Sequence, residues 1–372
     1  MTRALLALLL ILGHLPVDAA PRRRAVRHPE APVAPAALVT AARQAAEAAM
    51  AAGVPAVQIA VSHRGQIIYS EAFGMTDQQS ATAASPRSVL RVGSITKQFT
   101  AAAILRLAER GALSLDDRIE KFVPEFDTRG RTITLRHLLT HTSGVARDPY
   151  LPTMTPTTLS APFPREQAIN ALNSKPFDFT PGSSWKYSNS GFLLLGYAIE
   201  SITGMSFADF VHSEFVLPLG LIDTGVCGTS NLPLPDGYSL IQGQWMRLWS
   251  FHTSGMVSSG ALCSTASDLT RWAHLLATGR VMLPASYATM TTAVRLNNNV
   301  VVPYGLGLDV KNILGERAAA HGGAVTGFLS FVLHLSDQDI AVAVVSNAFP
   351  FPADGNSELI AIAVANAALG SL

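Results

Sequence analysis

Charged side chains are scarce in this chain. Lys, Arg, Asp and Glu make up only 14% of its 372 residues, and the two signs nearly cancel to a net charge of +1. A surface for nucleic acid or for an acidic partner needs an excess of positive charge, so neither partner is predicted. Apolar residues make up 48%, which is typical of a chain with a large buried core and argues against disorder.

Cysteine is also scarce, because the chain has only Cys227 and Cys263. Two thiols make a poor metal site, and no histidine spacing nearby completes one. His137 and His141 stand four residues apart without the glutamate of a His-Glu-x-x-His pattern, so we predict packing and hydrogen-bonding roles for them. No glycine-rich phosphate loop of the Walker or dinucleotide type is present. The sequence therefore predicts neither a metal nor an organic cofactor.

Long apolar runs are absent except at the N-terminus. Residues 4–12 follow a positive charge and precede small residues, as in a signal peptide, and they are too few for a bilayer span of about 20 residues. We predict that residues 1–19 are a signal peptide, that residues 20–34 are a solvated leader, and that the protein is secreted or periplasmic without stable membrane insertion after cleavage. The alternative is an uncleaved anchor, which the basic residues 22–24 favour.

The rest of the chain has β-rich ends and a helical middle. Alternating apolar residues around turns at 63–65 and 336–339 predict two β-hairpins, and residues 36–53 and 357–370 are predicted helices. The middle, about 94–220, is mostly helical. It includes a short helix ending at Gly144 and a helix that Ser206 opens as N-cap.

Strands at both ends and helices between them indicate a mixed α/β (α+β) fold. We predict a central antiparallel sheet built from the N- and C-terminal segments and flanked by helices, with an inserted, mainly helical lobe at roughly 110–220. Residues 35–372 are predicted to form one catalytic domain, with its site in the cleft between the lobes. Trp245, Trp249 and Phe251 are predicted either to line this cleft or to pack in a lobe.

Ser94 and Lys97 stand one helical turn apart in "RVGSITKQFT". Gly93 lets the chain turn into a predicted helix, so Ser94 and Lys97 share one face of it. A neutral lysine there could take the serine proton, or a charged one could lower the pKa of another base; either would activate a weak hydroxyl. Ser-x-x-Lys is also common by chance, and serine is a common N-cap, so the pair needs support from elsewhere in the chain.

Two further motifs supply that support. In "WKYSNSG", Tyr187 is a candidate general base and Asn189 a candidate hydrogen-bonding partner for a lysine or a substrate amide. In "AHGGAVTGF", His321, Gly322 and Gly323 precede a predicted strand, and the glycines allow a close approach to a ligand. The N–H groups of Ala324 and of the serine are then candidate oxyanion donors. Taken alone, the first motif is better explained as a buried tyrosine with a capping asparagine, and the second as a glycine turn entering a hairpin.

The order of the three motifs resembles the serine β-lactamase and penicillin-binding-protein superfamily, on the branch of class C β-lactamases, D-alanyl-D-alanine carboxypeptidases and related esterases. Other stretches carry the same resemblance, which covers about 40–370. They include "ITLRHLLTHTSG", "FTPGSSWKYSNSGFLLLGYAIE", "LPLGLIDTG", "SGALCSTASDLTRWAHLLATG" and "YGLGLDV".

The resemblance implies roles for the motif residues. Ser94 corresponds to the acyl-forming nucleophile, Lys97 to its partner, Tyr187 to the general base and Asn189 to a ligand of substrate and lysine. His321 stands where β-lactamases usually carry the lysine of Lys-Thr-Gly. A histidine is only partly charged near neutral pH, so it offers a weaker partner for the β-lactam carboxylate.

The function implied is that of an exported serine hydrolase whose acyl-enzyme forms on Ser94. Its partner is a small-molecule or peptide acyl donor: an ester, a D-amino-acid amide or peptide, or a β-lactam, with the ester and amide favoured because of His321. The alternative is a non-catalytic protein that binds peptidoglycan or peptide on the same fold. The chemically competent residue at every motif position favours the enzyme, and the oligomeric state is left open.

Cys227 and Cys263 are predicted to form a disulfide. An exported chain meets an oxidising environment, and each cysteine follows one of the stretches that carry the resemblance. The alternative is two separate buried thiols, since free cysteine packs as a small apolar residue.

Overall fold

The computed structural model describes residues 34–148, 161–229, 232, 235–248, 252–350 and 356–372. The predicted signal peptide and nearly all of the predicted leader lie outside these residues, so both stay predictions. The strands are, in chain order, β1 (Ala56–His63), β2 (Gln66–Asp77), β3 (Thr82–Ala83), β4 (Leu90–Arg91), β5 (Gly225–Val226), β6 (Gly237–Ile241), β7 (Gln244–Leu248), β8 (Leu262–Ser264), β9 (Val294–Arg295), β10 (Val301–Val302), β11 (Asp309–Ile313), β12 (Glu316–Val325), β13 (Phe328–Leu335) and β14 (Ile340–Ser346).

Seven strands form the main sheet, in the order β11-β12-β13-β14-β1-β2-β3. Every neighbouring pair in it is antiparallel. β1 lies between β2, its hairpin partner, and β14, which comes from the other end of the chain. Both predicted hairpins are present, and the prediction of an antiparallel sheet built from both ends of the chain is confirmed.

Helices cover both faces of this sheet. Val342 and Val344 of β14 point into an apolar cluster with the first and last helices, while Ala343 and Val345 point into a second cluster with the helices of the middle of the chain. This alternation is why the strand is apolar throughout. The helices are α1 (Ala36–Ala51), α2 (Thr96–Glu109), α3 (Leu135–Leu139), α4 (Arg165–Asn173), α5 (Asn189–Thr203), α6 (Phe207–Val211), α7 (Leu217–Leu219), α8 (Val257–Gly260), α9 (Ala266–Ala277), α10 (Pro284–Met290) and α11 (Ser357–Leu369).

The middle of the chain is helical, as predicted. Between β4 and β5, the residues that the structure describes form helices α2 to α7 and short helical turns, with no named strand. Ser206 does open α6, since its side chain accepts a hydrogen bond from the Asp209 N–H. No single helix among the described residues is long and apolar enough to cross a membrane. Among these residues, one pair of helices, Asn189–Thr203 and Phe207–Leu219, has the length and apolar composition of a membrane span when taken together, but the pair is bent by 78°.

The prediction that the short helix ends at Gly144 is wrong. α3 ends at Leu139, and His141 has a positive φ of 58° that no α-helix contains. Gly144 has a separate role: its φ is 75°, and a Cβ there would overlap the Phe179 carbonyl oxygen. The glycine therefore permits a close crossing of two chain segments and does not mark the helix end.

Trp245 packs away from the predicted cleft. It lies against the apolar cluster of α1 and the sheet, beside Gly53. The prediction of a packing role thus holds for Trp245, whereas Trp249 and Phe251 lie outside the described residues.

The two cysteines form a disulfide in the structure, with their Cα atoms 5.2 Å apart. Cys263 lies in β8, which pairs with β5 immediately before Cys227. The bond closes a segment with a sequence separation of 36. That segment includes the carbonyls of Ser258 and Ser259, which accept hydrogen bonds from side chains of α2.

We expect the purified protein to contain this disulfide and to lose stability without it. Closing a loop of this length stabilises a fold by roughly 4 kcal/mol in the chain-entropy estimate. A Cys227→Ser/Cys263→Ser variant should therefore unfold at lower denaturant concentration. Mass spectrometry after alkylation, with and without reductant, tests the bond itself, and two alkylated cysteines in the non-reduced sample would contradict it.

Candidate active site

Ser94 lies in a single 3₁₀ turn, Gly93–Ile95, that leads directly into α2. Gly93 has a φ of 51°, and a Cβ on it would lie only 3.0 Å from the Ala324 nitrogen. Glycine is thus the residue that allows Ser94 to approach β12 closely. The Thr96 hydroxyl donates to the Gly93 carbonyl over 2.7 Å and fixes the turn.

Lys97 points from the first turn of α2 to Ser94, as the spacing predicted. Its Nζ lies 3.1 Å from Ser94 Oγ, 2.7 Å from Asn189 Oδ1 and 2.7 Å from the Ser259 carbonyl oxygen. The side chain is fully buried. Burial lowers the pKa of Lys97 well below its usual value, while the nearby Asp148 carboxylate opposes this shift.

These contacts suit a neutral amine. Asn189 Oδ1 and the Ser259 carbonyl can only accept, so they take the two hydrogens of a neutral Lys97. In the structure Lys97 Nζ donates to Ser94 Oγ as well; in the neutral amine a lone pair takes that position, and the Ser94 hydroxyl becomes the donor. The geometry therefore allows Lys97 to receive the serine proton directly.

Tyr187 is the second group beside the serine. Its hydroxyl hydrogen-bonds with Ser94, and its ring lies 4.7 Å from Lys97 Nζ. Burial raises the pKa of Tyr187, so the hydroxyl holds its proton at neutral pH. A protonated Tyr187 hydroxyl can donate to a group in the cleft.

Asp148 is a site residue that the sequence reasoning missed. Asn189 Nδ2 donates to Asp148 Oδ2 over 2.8 Å, which fixes the orientation of the amide and aims Oδ1 at Lys97. The Asp148 backbone N–H also donates to the Ser190 hydroxyl over 3.0 Å. The one available signal was a carboxylate beside Arg147 in a region with few charges.

The glycine motif forms an open edge of the sheet. β11 pairs with β12 only as far as Ala320, so the next residues of β12 have no strand partner on that side among the described residues. Gly322 and Ala324 are two residues apart and therefore direct their backbone groups to the same edge. Gly323, between them, approaches so closely that a Cβ on it would overlap the Val92 carbonyl oxygen. The edge faces the Ser94 turn, where an extended substrate could bind.

His321 differs from its predicted role in one respect, its charge. It lines the cleft, but it is 4% exposed, and burial lowers its pKa to about 3, with the nearby Lys97 lowering it further. This direction favours the neutral ring, because desolvation disfavours the cation. Both ring nitrogens already have partners, the Tyr304 hydroxyl and the Gly322 carbonyl.

A cavity of about 530 Å³ opens in front of these groups. Two of its lining side chains are ionisable and lie outside the predicted motifs, Arg147 and Glu358. No group of three or more His, Cys, Asp or Glu side chains among the described residues is arranged to hold a metal ion. The structure brings together all the motif residues that the sequence analysis selected as lining this site: Ser94, Tyr187, Asn189, His321, Gly322, Gly323 and Ala324.

The fold and this site define a protein of the serine β-lactamase and penicillin-binding-protein superfamily. The Beta-lactamase family model matches residues 42–367, and the chain belongs to that family. Penicillin-binding protein 4* of Bacillus subtilis (strain 168) is 28% identical over 301 residues, 76% of this chain; the chain spans 66% of that relative's length.

Solved structures agree on the fold. A D-stereospecific amidohydrolase from Streptomyces sp. is 29% identical with a TM-score of 0.73, over 87% of this chain and 96% of that one. The octameric penicillin-binding protein homologue from Pyrococcus abyssi is 26% identical with a TM-score of 0.77, over 90% of this chain and 78% of that one.

Proposed function

We propose that this protein is an exported serine hydrolase that forms an acyl-enzyme on Ser94. The observation that carries the proposal is the contact of Ser94 Oγ with the buried Lys97 Nζ, whose two other partners can only accept hydrogen bonds. A serine hydroxyl needs such a base to become a nucleophile.

Acylation follows from the positions of the groups. The Ser94 oxygen attacks the carbonyl carbon of the substrate while its proton passes to Lys97. The N–H groups of Ser94 and Ala324 face the oxygen on which negative charge develops. Tyr187 contacts Ser94, packs its ring against Lys97 and lines the cavity; in this proposal it passes the proton to the leaving group as the bond to that group breaks. A water molecule then attacks the acyl-enzyme, with the same groups acting in reverse.

The substrates that we propose are esters and D-amino-acid amides or peptides, before β-lactams. A β-lactam carboxylate calls for a fixed positive charge at the edge of the sheet, whereas burial lowers the pKa of His321 there to about 3. The 29% identical amidohydrolase from Streptomyces sp. supports the amide. Arg147 and Glu358 place one charge of each sign at the cavity for the ends of a peptide or amino-acid substrate, although each already forms an ion pair, with Asp148 and Lys311 respectively.

Export is part of the same proposal. Disulfides persist in oxidising compartments and are rare in reducing ones, so the Cys227–Cys263 bond supports a secreted or periplasmic location. N-terminal sequencing of the protein from a cell that exports it would test this, since cleavage near residue 19 is expected and an intact N-terminus favours the anchor.

Covalent labelling distinguishes a hydrolase from a protein that only binds the same ligands. A serine-directed fluorophosphonate should label the wild-type protein and leave Ser94→Ala unlabelled. Intact mass after incubation with p-nitrophenyl esters, D-alanyl peptides and β-lactams then shows which acyl groups are transferred. A protein that binds such ligands without any covalent adduct is a binding module, and the hydrolase proposal fails.

We expect His321→Lys to change the substrate preference. A lysine supplies the charge that the neutral histidine lacks, and a charge-assisted hydrogen bond to the β-lactam carboxylate contributes about 1.5–3 kcal/mol. The ratio of kcat/KM for a β-lactam to that for a neutral ester should therefore rise about tenfold or more. His321→Gln is the uncharged control. An unchanged ratio in the lysine variant would show that position 321 does not face the carboxylate.

A further inference from the structure

Three buried aromatic side chains connect α3 to the edge of β12. His141, Tyr304 and His321 are 1%, 3% and 4% exposed. The Tyr304 hydroxyl lies 3.1 Å from Nε2 of each histidine. The hydrolytic mechanism above uses neither His141 nor Tyr304, although the two rings at the ends of the contact are buried beside Lys97.

The fixed hydrogen-bond partners of His141 and of His321 determine which ring nitrogen of each histidine carries the proton. At one end the Ser188 backbone N–H, which can only donate, lies 3.2 Å from His141 Nδ1. A neutral His141 therefore carries its proton on Nε2 and donates it to Tyr304. The single Tyr304 hydroxyl proton is then donated to His321 Nε2.

The other end gives the same answer. His321 Nδ1 lies 2.6 Å from the Gly322 carbonyl oxygen, which can only accept. The proton of a neutral His321 must therefore lie on Nδ1, as the first end requires. In this row of His141, Tyr304 and His321, every donor therefore has an acceptor, and each ring nitrogen takes part in one hydrogen bond.

Protonation of His321 would break this arrangement. A second proton on its Nε2 would face the Tyr304 oxygen, which already accepts from His141, and the tyrosine hydroxyl would lose its acceptor. Burial lowers the pKa of both histidines and raises that of Tyr304, so all three groups stay neutral. The ionisable groups that act on them are Lys97, Arg147, Tyr187, Asp309 and Lys311.

The far end of the row lies at the substrate edge. Gly322 and Ala324 direct their backbone groups to the same side of β12, and Gly322 lines the cavity. The Gly322 carbonyl that His321 contacts therefore lies on the same edge of β12 as the Ala324 N–H, the candidate oxyanion donor.

We propose that His141 and Tyr304 are positioning residues that lock His321 as the neutral Nδ1–H tautomer, and that His321 in turn holds the Gly322 edge for the substrate. His321 thus acts through the backbone and does not itself bind substrate through a ring nitrogen. Only the kinetic part of this inference rests on the proposed hydrolase function.

Histidine side-chain NMR of the wild-type protein tests the tautomers without any activity. Long-range ¹H–¹⁵N spectra distinguish Nδ1–H from Nε2–H, and His321→Gln and His141→Gln identify the two signals. We expect His321 as Nδ1–H and His141 as Nε2–H, both unchanged from pH 5 to 8. Either tautomer reversed, or titration of His321 within this range, overturns the proposal.

The kinetic test uses Tyr304→Phe, which removes one hydroxyl and keeps the ring. Loss of this buried hydrogen bond should lower kcat/KM for a neutral ester about tenfold. It should also add an ionisation on the acid side of the pH–rate profile, because His321 loses the donor that keeps it neutral. The matched control is Tyr69→Phe: Tyr69 is buried, its hydroxyl donates to Glu71 Oε2, and it does not line the cavity. If Tyr304→Phe changes only thermal stability, as the control should, the positioning role is wrong.

Discussion

Replacing Ser94 with alanine is expected to abolish ester and amide hydrolysis while the fold is retained. Loss of a serine nucleophile lowers the rate by on the order of 10⁴-fold or more. The hydroxyl makes no helix cap in the structure, so its removal should change the free energy of unfolding by about 1 kcal/mol or less. Turnover of a chromogenic ester and thermal unfolding of the same samples measure both quantities.

Ser206→Ala is the matched control for this variant. Ser206 caps α6 through the Asp209 N–H, far from the site residues in sequence and exposed. Its loss should cost about 1 kcal/mol of stability and leave turnover unchanged. Residual turnover in Ser94→Ala above a small fraction of wild type would place the nucleophile elsewhere.

The second large effect is expected at the proton-transfer pair. Lys97→Ala and Tyr187→Phe should each slow acylation by about 10²–10⁴-fold, the range for a positioned acid or base. The double variant should be only slightly slower than the worse single variant, because groups that pass one proton between them fail together. Burst kinetics with an activated ester isolate acylation from hydrolysis of the acyl-enzyme.

The two single variants should differ in stability. Lys97→Ala leaves Asn189 Oδ1 and the Ser259 carbonyl without their donor, at a cost of about 1–3 kcal/mol for each buried group. Tyr187→Phe keeps its ring and should unfold nearly as the wild type does. Fully additive losses of rate in a double variant that remains folded would contradict a shared proton path.

Local sequence patterns were enough to predict the hairpins and the Ser94–Lys97 contact. Apolar runs on both sides of a short turn were enough to predict β1 with β2 and β13 with β14, although β14 is buried on both faces and apolar throughout. A serine and a lysine three residues apart at a helix start must be neighbours in space. In such cases the contact lies within one element or one turn.

Contacts between distant segments could not be predicted in the same way. Asp148 reaches Asn189 across a sequence separation of 41, and Tyr304 bridges to His141 across 163. The charge state of His321 could not be predicted for a related reason: its pKa depends on burial, which a sequence motif does not specify. The end of α3 was misplaced because glycine is needed at 144 for a crossing with Phe179, a contact between segments.

The position of β1 has a consequence for how the protein is made. β1 needs β14 on one side, and Ser94 needs Ala324 of β12 close by, yet a ribosome delivers the N-terminal partners first. At about 5–20 residues per second, tens of seconds separate the emergence of β1 from that of β14. During that time the edge of β1 that pairs with β14 is exposed, and an unpaired strand edge favours aggregation. A chain released before β12 should therefore be inactive and prone to aggregation, so hydrolysis cannot begin before synthesis is nearly complete.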